Sequence, residues 1–428
     1  MGGLALTATA TFLLVILVPP PQVALSAGPS PRVAQAAAGL SSKDAVARAR
    51  AAAQLGEMGG EAAPAVPLLA KLLSDEAEVF AGIGIGHGDI TFGRNSTVSD
   101  VAATALGRIG DKRAVGPLCA LMLSKSQRVN WLARDSAAKA LGEIGDGRAV
   151  PSLCLALSDS MIDNEAEESL VKIGAPAVKP LVNAASTGTP GLCQKAFAVL
   201  GKIGKPAVPS LVNLMKPGKG EVARLAAHAL GNTGDLDALE ALCAALKDPK
   251  AGSRPDAVSG LSAFCSHLSG EGKLKALVVA LEGDAVDPVV ALFKDKSRPV
   301  DTRKDAGDVL TRSRNPRAVE PLVEAMTDAN DQIRYAGFHG ICYLAIDISS
   351  SRPWFDAEDP AGKGKWDKAR ADLLEALKGK ALRPLVKALG SKESQVQSGA
   401  QSALRNLTGQ NLKTRAEWEA WLKEQEGK

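Results

Sequence analysis

The chain has 428 residues, of which 46% are apolar and 23% are charged, with 51 Lys and Arg against 47 Asp and Glu. This composition excludes a disordered or collagen-like chain. The net charge is +4 and both signs are interspersed, which gives no electrostatic field suited to a phosphate backbone. No nucleic acid partner is therefore expected. The length exceeds the ~250 to 300 residues at which a single core stops growing, so the chain needs several domains or an architecture that grows by stacking.

The N-terminal segment contains an uncharged, mostly apolar run from Leu4 to Val18, followed by three prolines and two small-residue sites, Ala24-Leu25-Ser26 and Ala34-Gln35-Ala36. We interpret residues 1–38 as a secretory signal peptide and a flexible lead-in, although no Lys or Arg precedes the run. The run is shorter than the ~20 residues that span a membrane, so no stable span is expected after signal cleavage. The predicted location is therefore the periplasm, the cell surface or the medium; the alternative is a membrane anchor formed by an uncleaved N-terminus.

A repeated A-x-x-x-L motif organises the chain from residue 39 to residue 425. Five consecutive copies begin 29, 30, 30 and 31 residues apart, at Ala137, Ala166, Ala196, Ala226 and Ala257. Several copies continue as Gly-x-Ile-Gly or Gly-x-Met-Gly. A fixed period of this length is typical of repeat architectures.

A second motif follows most copies of the first. In residues 207–215 its apolar positions fall at i, i+1, i+4, i+7 and i+8, which form one stripe on an α-helix. Glycine between the two motifs provides a helix C-terminus, and Asp111, Asp146 and Asp235 stand at the same junctions as expected N-caps. The predicted fold is all-α, a right-handed superhelix of about ten helical hairpins in which each hairpin covers the apolar stripe of its neighbour.

The repeats resemble a known family. Residues 141–146 (Leu-Gly-Glu-Ile-Gly-Asp) and 148–153 (Arg-Ala-Val-Pro-Ser-Leu) resemble the HEAT-repeat consensus, in particular the short subtype of phycobilisome-lyase-like repeats. The spacing of Asp328 and Arg334 resembles the aspartate and arginine spacing between helix pairs of that family. The resemblance implies one continuous armadillo-type solenoid. It leaves function open, because such solenoids include scaffolds, adaptors and a few enzymes.

The period is interrupted at three places, which we interpret as insertions near residues 74–98, 266–298 and 347–380. Insertions in repeat proteins map to loops and often to the binding face. The third insertion lies within the last 94 residues, which hold eight of the 15 aromatic residues, namely Tyr335, Phe338, Tyr343, Trp354, Phe355, Trp366, Trp418 and Trp421.

Three aromatic residues of the third insertion are the candidate partner-binding residues, Trp354, Phe355 and Trp366, because interfaces are enriched in aromatic side chains. The alternative is that these side chains pack the insertion onto the solenoid. Trp418 and Trp421 are expected to close the exposed end of the last repeat.

The sequence contains no local arrangement typical of catalysis, so we predict no catalytic, cofactor-binding or metal-binding residue and no cofactor. Cys119, Cys154 and Cys243 occupy a repeat position that holds Ala or Val elsewhere, which favours free thiols in the core. HEAT-like deoxyhypusine hydroxylases build a di-iron site from His-Glu pairs, whereas the residues that follow the four histidines are Gly88, Ala229, Leu268 and Gly340.

The expected function is a non-enzymatic scaffold or adaptor that binds a protein or peptide partner, with the oligomeric state left open. The alternative implied by the resemblance is a bilin lyase or isomerase, which predicts a cytosolic chain and pigment binding. Absence of a spectral shift with an open-chain tetrapyrrole would exclude that alternative. A third possibility is a repeat module whose catalytic partner is a separate polypeptide.

Overall fold

Each repeat folds as a pair of helices, in agreement with the two motifs. The structure is a computed structural model and describes residues 29–79, 96–126, 129–216, 220–248, 254–268, 271–349 and 360–426. Within these residues there are 22 α-helices and one two-stranded antiparallel ribbon. The predicted all-α solenoid of about ten hairpins is confirmed.

The first helices of successive hairpins stack on one another and form one layer, called the inner layer below. Its ten helices are α2 Ala45–Glu57, α4 Val98–Ile109, α6 Trp131–Ile144, α8 Asp163–Ile173, α10 Pro190–Ile203, α12 Glu221–Asn232, α14 Arg254–Ser266, α17 Val300–Ser313, α19 Asp331–Ser349 and α21 Ser394–Thr408.

The second helices form the outer layer, and short 3-10 turns connect several of them to the inner layer. They are α3 Val66–Lys71, α5 Val115–Met122, α7 Val150–Ala156, α9 Ala175–Thr187, α11 Val208–Leu214, α13 Leu236–Lys247, α16 Asp287–Lys294, α18 Val319–Ala325, α20 Pro360–Ala388 and α22 Arg415–Glu426. Two further helices complete the set, α1 Pro31–Gly39 before the first hairpin and α15 Glu271–Ala280 before α16.

Glycine of the repeat motif sets the spacing of the inner layer. A Cβ added to Gly56, Gly107 or Gly142 would lie 2.9, 2.8 and 2.8 Å from the Cα atom of a residue on the next inner helix. The missing side chain therefore lets neighbouring backbones come closer than any other residue would allow. Successive inner helices are therefore in close contact along the solenoid.

An arginine clamp ties the two helices of a hairpin together at their open end. Arg303 at the start of α17 donates to the carboxylate of Asp328 after α18 at 2.6 Å, and both side chains are less than 9% exposed. Arg303 also donates to the carbonyl oxygen of Phe293 at the end of α16, so the clamp links two hairpins. The same pairing recurs as Arg48 with Asp75 and Arg134 with Asp159.

The aspartate and the arginine whose spacing resembles the HEAT family do not pair with each other through their side chains. Arg334 donates to the backbone carbonyl of Asp328 at 2.7 Å, while the Asp328 carboxylate is taken by Arg303. The guanidinium of Arg303 holds the pKa of the Asp328 carboxyl below its usual value. The aspartate thus closes its own hairpin and positions the start of the next one.

The turns between the two layers carry a second set of polar contacts that recurs from repeat to repeat. Asp111, Asp146 and Asp235 each accept a hydrogen bond from the backbone N–H two residues later, which confirms them as caps. Arg148 donates to the Asp146 carboxylate and holds its pKa at about 2. The same guanidinium reaches the carbonyl oxygen of Lys112 in the preceding turn at 3.1 Å, so adjacent turns are connected.

The ends of the solenoid are covered by packed side chains. Residues 31–38, expected to be part of a flexible lead-in, lie in α1. Val33 of this helix is 1% exposed, and Leu40 that follows it is 4% exposed. This helix packs on α2 and shields its apolar stripe. At the other end Trp418 is fully buried and meets Trp421 edge to face, with ring centroids 5.8 Å apart, which agrees with their expected closing role.

The three interruptions of the period differ in structure. Near 74–98, the strands Glu78–Val79 and Ser96–Thr97 pair as an antiparallel ribbon, β1 and β2, and residues 80–95 lie outside the described residues. Near 266–298, the chain forms α15 and α16; α16 takes the outer position between α13 and α18. This segment is an added helix rather than a loop.

The segment near 347–380 is also helical over most of its length. Helix α20 has 29 residues, and its buried stripe of Trp366, Leu373 and Leu377 packs on the solenoid. An exposed ion pair also links its N-terminal half to the solenoid, since Lys365 contacts Glu282 at 2.8 Å. Residues 350–359 lie outside the described residues. None of the described helices combines the length and apolar character required to cross a membrane.

The spacing of the inner layer makes a testable prediction. We expect Gly142→Ala to destabilise the protein by about 1–3 kcal/mol, because the new Cβ would lie 2.8 Å from the Ser169 backbone and force two helices apart. The matched control is Gly379→Ala, in the middle of α20, where a Cβ meets nothing within 4 Å. This change should stabilise by about 0.5–1 kcal/mol through helix propensity. Thermal unfolding should show shifts of opposite sign, and equal shifts would contradict the packing argument.

Candidate functional site

A groove opens in the last repeats, where α17, α18 and α19 meet α20, α21 and the start of α22. Its volume is about 1340 Å³. Apolar side chains form part of the wall, and charged side chains surround them. The apolar lining residues include Val323, Met326, Phe338, Pro384 and Val396. We call this cavity the main groove.

A smaller cavity of about 350 Å³ lies between the inner helices α14, α17 and α19. Hydroxyl, aromatic and charged side chains line it, and the charged ones are Lys304, Asp308 and Arg312. We call it the side cavity. The main groove and the side cavity share Lys304, Gln332 and Tyr335, so they form one continuous depression along the inner layer.

Tyr335 stands where the two cavities meet. Its side chain is 57% exposed, and its ring packs against His339 with centroids 4.8 Å apart. Tyr343 continues the same helix face at i+8, and Arg312 of α17 holds it through a hydrogen bond to the hydroxyl group and a cation–π contact at 4.4 Å. The two tyrosines are the only ones in the chain. They form an aromatic stripe on α19.

Two glycines bring α19 close to its neighbours and so fix the position of this stripe. A Cβ on Gly337 would lie 2.5 Å from the carbonyl oxygen of Leu322, and a Cβ on Gly340 would lie 2.6 Å from the hydroxyl oxygen of Thr311. Helix α19 therefore sits tightly against α17 and α18. The aromatic face opposite these contacts is presented on a rigid element.

Three carboxylates on α14 and α17 have raised pKa values, and one of them, Asp308, lines the side cavity. We call Asp256, Asp305 and Asp308 the acidic shoulder. Partial burial raises the pKa of all three carboxyl groups, and hydrogen bonds from Ser259 and Ser262 to Asp305 offset this rise only in part. Their ionised form is poorly solvated. Such groups gain from an additional cation or hydrogen-bond donor.

Cationic side chains dominate the opposite end of the main groove. We call Arg383, Lys387 and Arg415 the basic end. Arg383 contacts Glu426 at 2.5 Å, and Arg415 contacts Glu419 at 2.7 Å; in both pairs the side chains are about half exposed or more. Exposed pairs of this kind contribute ~0–1 kcal/mol each, so they can be exchanged for another carboxylate at little cost.

The three candidate partner-binding residues predicted from the sequence are Trp354, Phe355 and Trp366. Trp354 and Phe355 lie outside the described residues. Trp366 is 8% exposed and belongs to the hydrophobic core, where it holds α20 on the solenoid. Its burial corresponds to the packing role left open as the alternative. Trp366 in this position presents little surface to a partner.

Sequence reasoning did not single out Tyr335, His339 and Tyr343 as a site. A signal was present, because these residues recur at i, i+4 and i+8 and therefore share one helix face. What the pattern could not show is the cavity on either side of that face.

The depression contains one cysteine among its lining residues. Cys265 lines the side cavity, but burial raises the pKa of its thiol to about 12, so it is not a thiolate near neutral pH. The other cysteines are also unpaired thiols. No group of three or more metal-ligating side chains occurs in the part of the chain that the structure describes.

Comparisons with known proteins address the fold. Among solved structures, an engineered protein is 21% identical, with coverage of 88% of this chain and 98% of its own and a TM-score of 0.37. The designed armadillo repeat protein YIII(Dq.V1)4CPAF in complex with the peptide (KR)4 is 21% identical over 60% of this chain and 99% of its own, with a TM-score of 0.37. The complex of CpcE and CpcF of phycocyanin lyase from Nostoc sp. PCC7120 is 20% identical over 60% and 97%, with a TM-score of 0.30.

No curated protein sequence is significantly similar to the chain. Family comparison identifies the repeats directly: residues 93–171 and 178–262 match HEAT repeats, and residues 47–75 match the PBS lyase HEAT-like repeat. These segments include the residues whose pattern resembles the HEAT consensus, and the resemblance is confirmed. The chain therefore contains HEAT repeats over residues 93–171 and 178–262 and a PBS lyase HEAT-like repeat over residues 47–75.

Proposed function

We propose that this protein is a non-enzymatic scaffold that binds an extended segment of a partner protein along the main groove and the side cavity. The observation that carries the proposal is Tyr335, whose half-exposed ring stands at the junction of the two cavities. Aromatic side chains at the centre of a depression are typical binding hot spots. Burial of such a ring supplies affinity without a large loss of side-chain entropy, because tyrosine has two rotatable angles.

The size of the depression supports a chain segment over a small molecule. Small-molecule pockets are ~300–1000 Å³ and enclose their ligand. The main groove alone has about 1340 Å³, and the side cavity extends it along three inner helices. Rigid repeats present such a surface with little reorganisation, which lowers the cost of binding.

Site-specific crosslinking tests this proposal. Replacement of Tyr335 by a photoreactive phenylalanine derivative should give a crosslinked partner polypeptide in cells that produce the protein, because the residue would lie in the interface. The matched control is the same replacement at Trp131, which is 51% exposed at the start of α6, away from the groove. Equal crosslinking at both positions, or none at position 335, would remove the depression as the binding site.

The acidic shoulder supports a binding role because its ionised carboxylates lower the stability of the isolated protein. The carboxyl pKa values of Asp305 and Asp308 are raised in the folded protein above their ordinary value. In the pH window between the pKa of the unfolded chain and that of the folded protein, the folded protein therefore binds more protons than the unfolded chain. Stability therefore falls as the pH rises through the window, and the loss persists at neutral pH. A surface that sacrifices stability in this way is typical of a functional site.

The double variant Asp305→Asn/Asp308→Asn should therefore unfold at a higher temperature than the wild type at pH 7. The difference should shrink as the pH is lowered, because the wild-type carboxyl groups then also take up protons. Calorimetry across this range measures the effect. Asp367→Asn/Asp372→Asn, two exposed carboxylates of α20, is the control and should change little. A neutral-pH destabilisation of the first variant alone would contradict the argument.

We also propose that the protein is exported, on the basis of the apolar run and small-residue sites of the N-terminal sequence. Of the two sites, Ala34-Gln35-Ala36 lies inside α1, whose Val33 packs in the core. Cleavage there would remove part of the cover of α2, so Ala24-Leu25-Ser26 is the favoured site. N-terminal sequencing of protein from the native host should yield a start between these sites and before Pro31; an intact start would remove the proposal.

A further inference from the structure

The side cavity is a preformed space beside the main groove. Its volume of about 350 Å³ lies at the lower end of the ~300–1000 Å³ that is typical of small-molecule pockets. The close contact of Gly340 with Thr311, where a Cβ would lie 2.6 Å from the hydroxyl oxygen, fixes the separation of α17 and α19. A ligand group therefore enters a space that needs little rearrangement, which lowers the cost of binding.

The charged side chains of the side cavity compensate one another. Burial raises the pKa of the Asp308 carboxyl, and a hydrogen bond from Ser262 and the charges of Arg312 and Lys304 offset part of that rise. Arg312 is also held by the hydroxyl group and the ring face of Tyr343. An ionised ligand group of either sign would meet a like charge in the same cavity. The side cavity therefore favours a neutral ligand group.

The hydroxyl groups of the lining are suited to accept hydrogen bonds. Thr311 donates to the carbonyl oxygen of Gly307 at 2.8 Å, and Ser266 donates to the carbonyl oxygen of Ser262 at 3.4 Å. Ser262 in turn donates to the Asp308 carboxylate at a long distance of 3.5 Å. A hydroxyl oxygen keeps its acceptor capacity after its hydrogen is engaged. These three groups therefore suit a neutral ligand group that donates a hydrogen bond.

Tyr335 provides an aromatic contact at the entrance from the main groove. Its side chain is 57% exposed, although the ring touches His339 with centroids 4.8 Å apart and an interplanar angle of 41°. Part of the ring surface therefore stays open to a ligand. Aromatic rings pair favourably in offset-stacked or edge-to-face geometry, so this surface favours a second ring.

Neutral charge, hydrogen-bond acceptors and an open ring together indicate an aromatic side chain that carries a donor. An aliphatic side chain or phenylalanine would leave the hydroxyl groups that face it without a partner. Asparagine and glutamine donate but offer no ring to Tyr335. Tyrosine and tryptophan combine a flat apolar body with an O–H or N–H at its edge, and both are enriched at interfaces.

We propose, resting on the proposed function, that the partner segment inserts one tyrosine or tryptophan side chain past Tyr335 into the side cavity. The ring packs on Tyr335, and its O–H or N–H donates to a hydroxyl oxygen of Ser262, Ser266 or Thr311. The backbone of the segment stays in the main groove, which shares Tyr335 with the side cavity. The side cavity is thus the specificity pocket of the scaffold.

Peptide selection on the immobilised full chain tests the inference. Phage-displayed random dodecapeptides are selected on the wild type and on Ser266→Phe, in which the new ring fills part of the side cavity. The matched control is Ser398→Phe. Ser266 and Ser398 are both exposed serines of inner helices whose hydroxyl groups bond to a carbonyl oxygen of the same helix, and Ser398 lines neither cavity. Thermal unfolding shows whether each variant is folded.

We expect selection on the wild type and on Ser398→Phe to enrich peptides with a tyrosine or tryptophan at a fixed position, and selection on Ser266→Phe to lose this preference. Tyr335→Ala should bind a synthetic peptide of the selected sequence about tenfold more weakly than the wild type.

Substitutions in the synthetic peptide test the same contact on the wild-type protein. Exchange of the fixed aromatic residue for phenylalanine should weaken binding about fivefold or more, because one hydrogen bond is lost. Exchange for alanine should weaken binding about 30-fold or more, because the ring contact is also lost. These measurements need no protein variant, so they decide the question even if Ser266→Phe does not fold.

Other results would overturn the inference in distinguishable ways. A selected peptide that depends on Tyr335 but tolerates alanine at every tyrosine and tryptophan would remove the pocket and keep peptide binding. Equal binding of the peptide to the wild type and to folded Ser266→Phe would do the same. Absence of any peptide that depends on Tyr335 would remove both the inference and the proposed function. If N-acetyltryptophanamide bound as tightly as the whole peptide, the side cavity would be a small-molecule site instead.

Discussion

The structure depends on the close approach of inner helices at glycine. Gly56, Gly107 and Gly142 leave no space for a Cβ against the next helix. This contact brings the backbones of consecutive inner helices together. Alanine and leucine of the motif then fill a continuous core that no single hairpin could build.

Polar ladders at the two edges keep the stacked hairpins in register. Arg303 and Asp328 form a buried clamp at the open end of a hairpin, and Arg148 connects successive turns at the other edge. The buried clamp carries a desolvation cost, so its value lies in fixing geometry as much as in stability. Together the ladders explain how the repeat continues regularly through long stretches in which the core side chains are small.

The site arises where the regular repeat is modified. Helix α19 carries both tyrosines of the chain, and Gly337 and Gly340 draw it against α17 and α18. The following outer helix, α20, is extended to 29 residues and is held along the solenoid by its buried stripe. The end of α20 and the start of α22 then form the far wall of the main groove. A local change of repeat geometry thus produces a binding surface on an otherwise uniform scaffold.

The sequence by itself determined the hairpins, their number and their caps, because helix periodicity, glycine and capping aspartates act over a few residues. It also indicated the aromatic concentration of the last repeats, and it placed Trp418 and Trp421 as a closing pair. Only the tertiary structure decided that Trp366 is buried and Tyr335 is exposed, that 266–298 adds a helix, and that residues 31–39 form a packed helix. The physical reason is that burial depends on which neighbouring helix covers a side chain, and interrupted repeats change that neighbour without changing the local pattern.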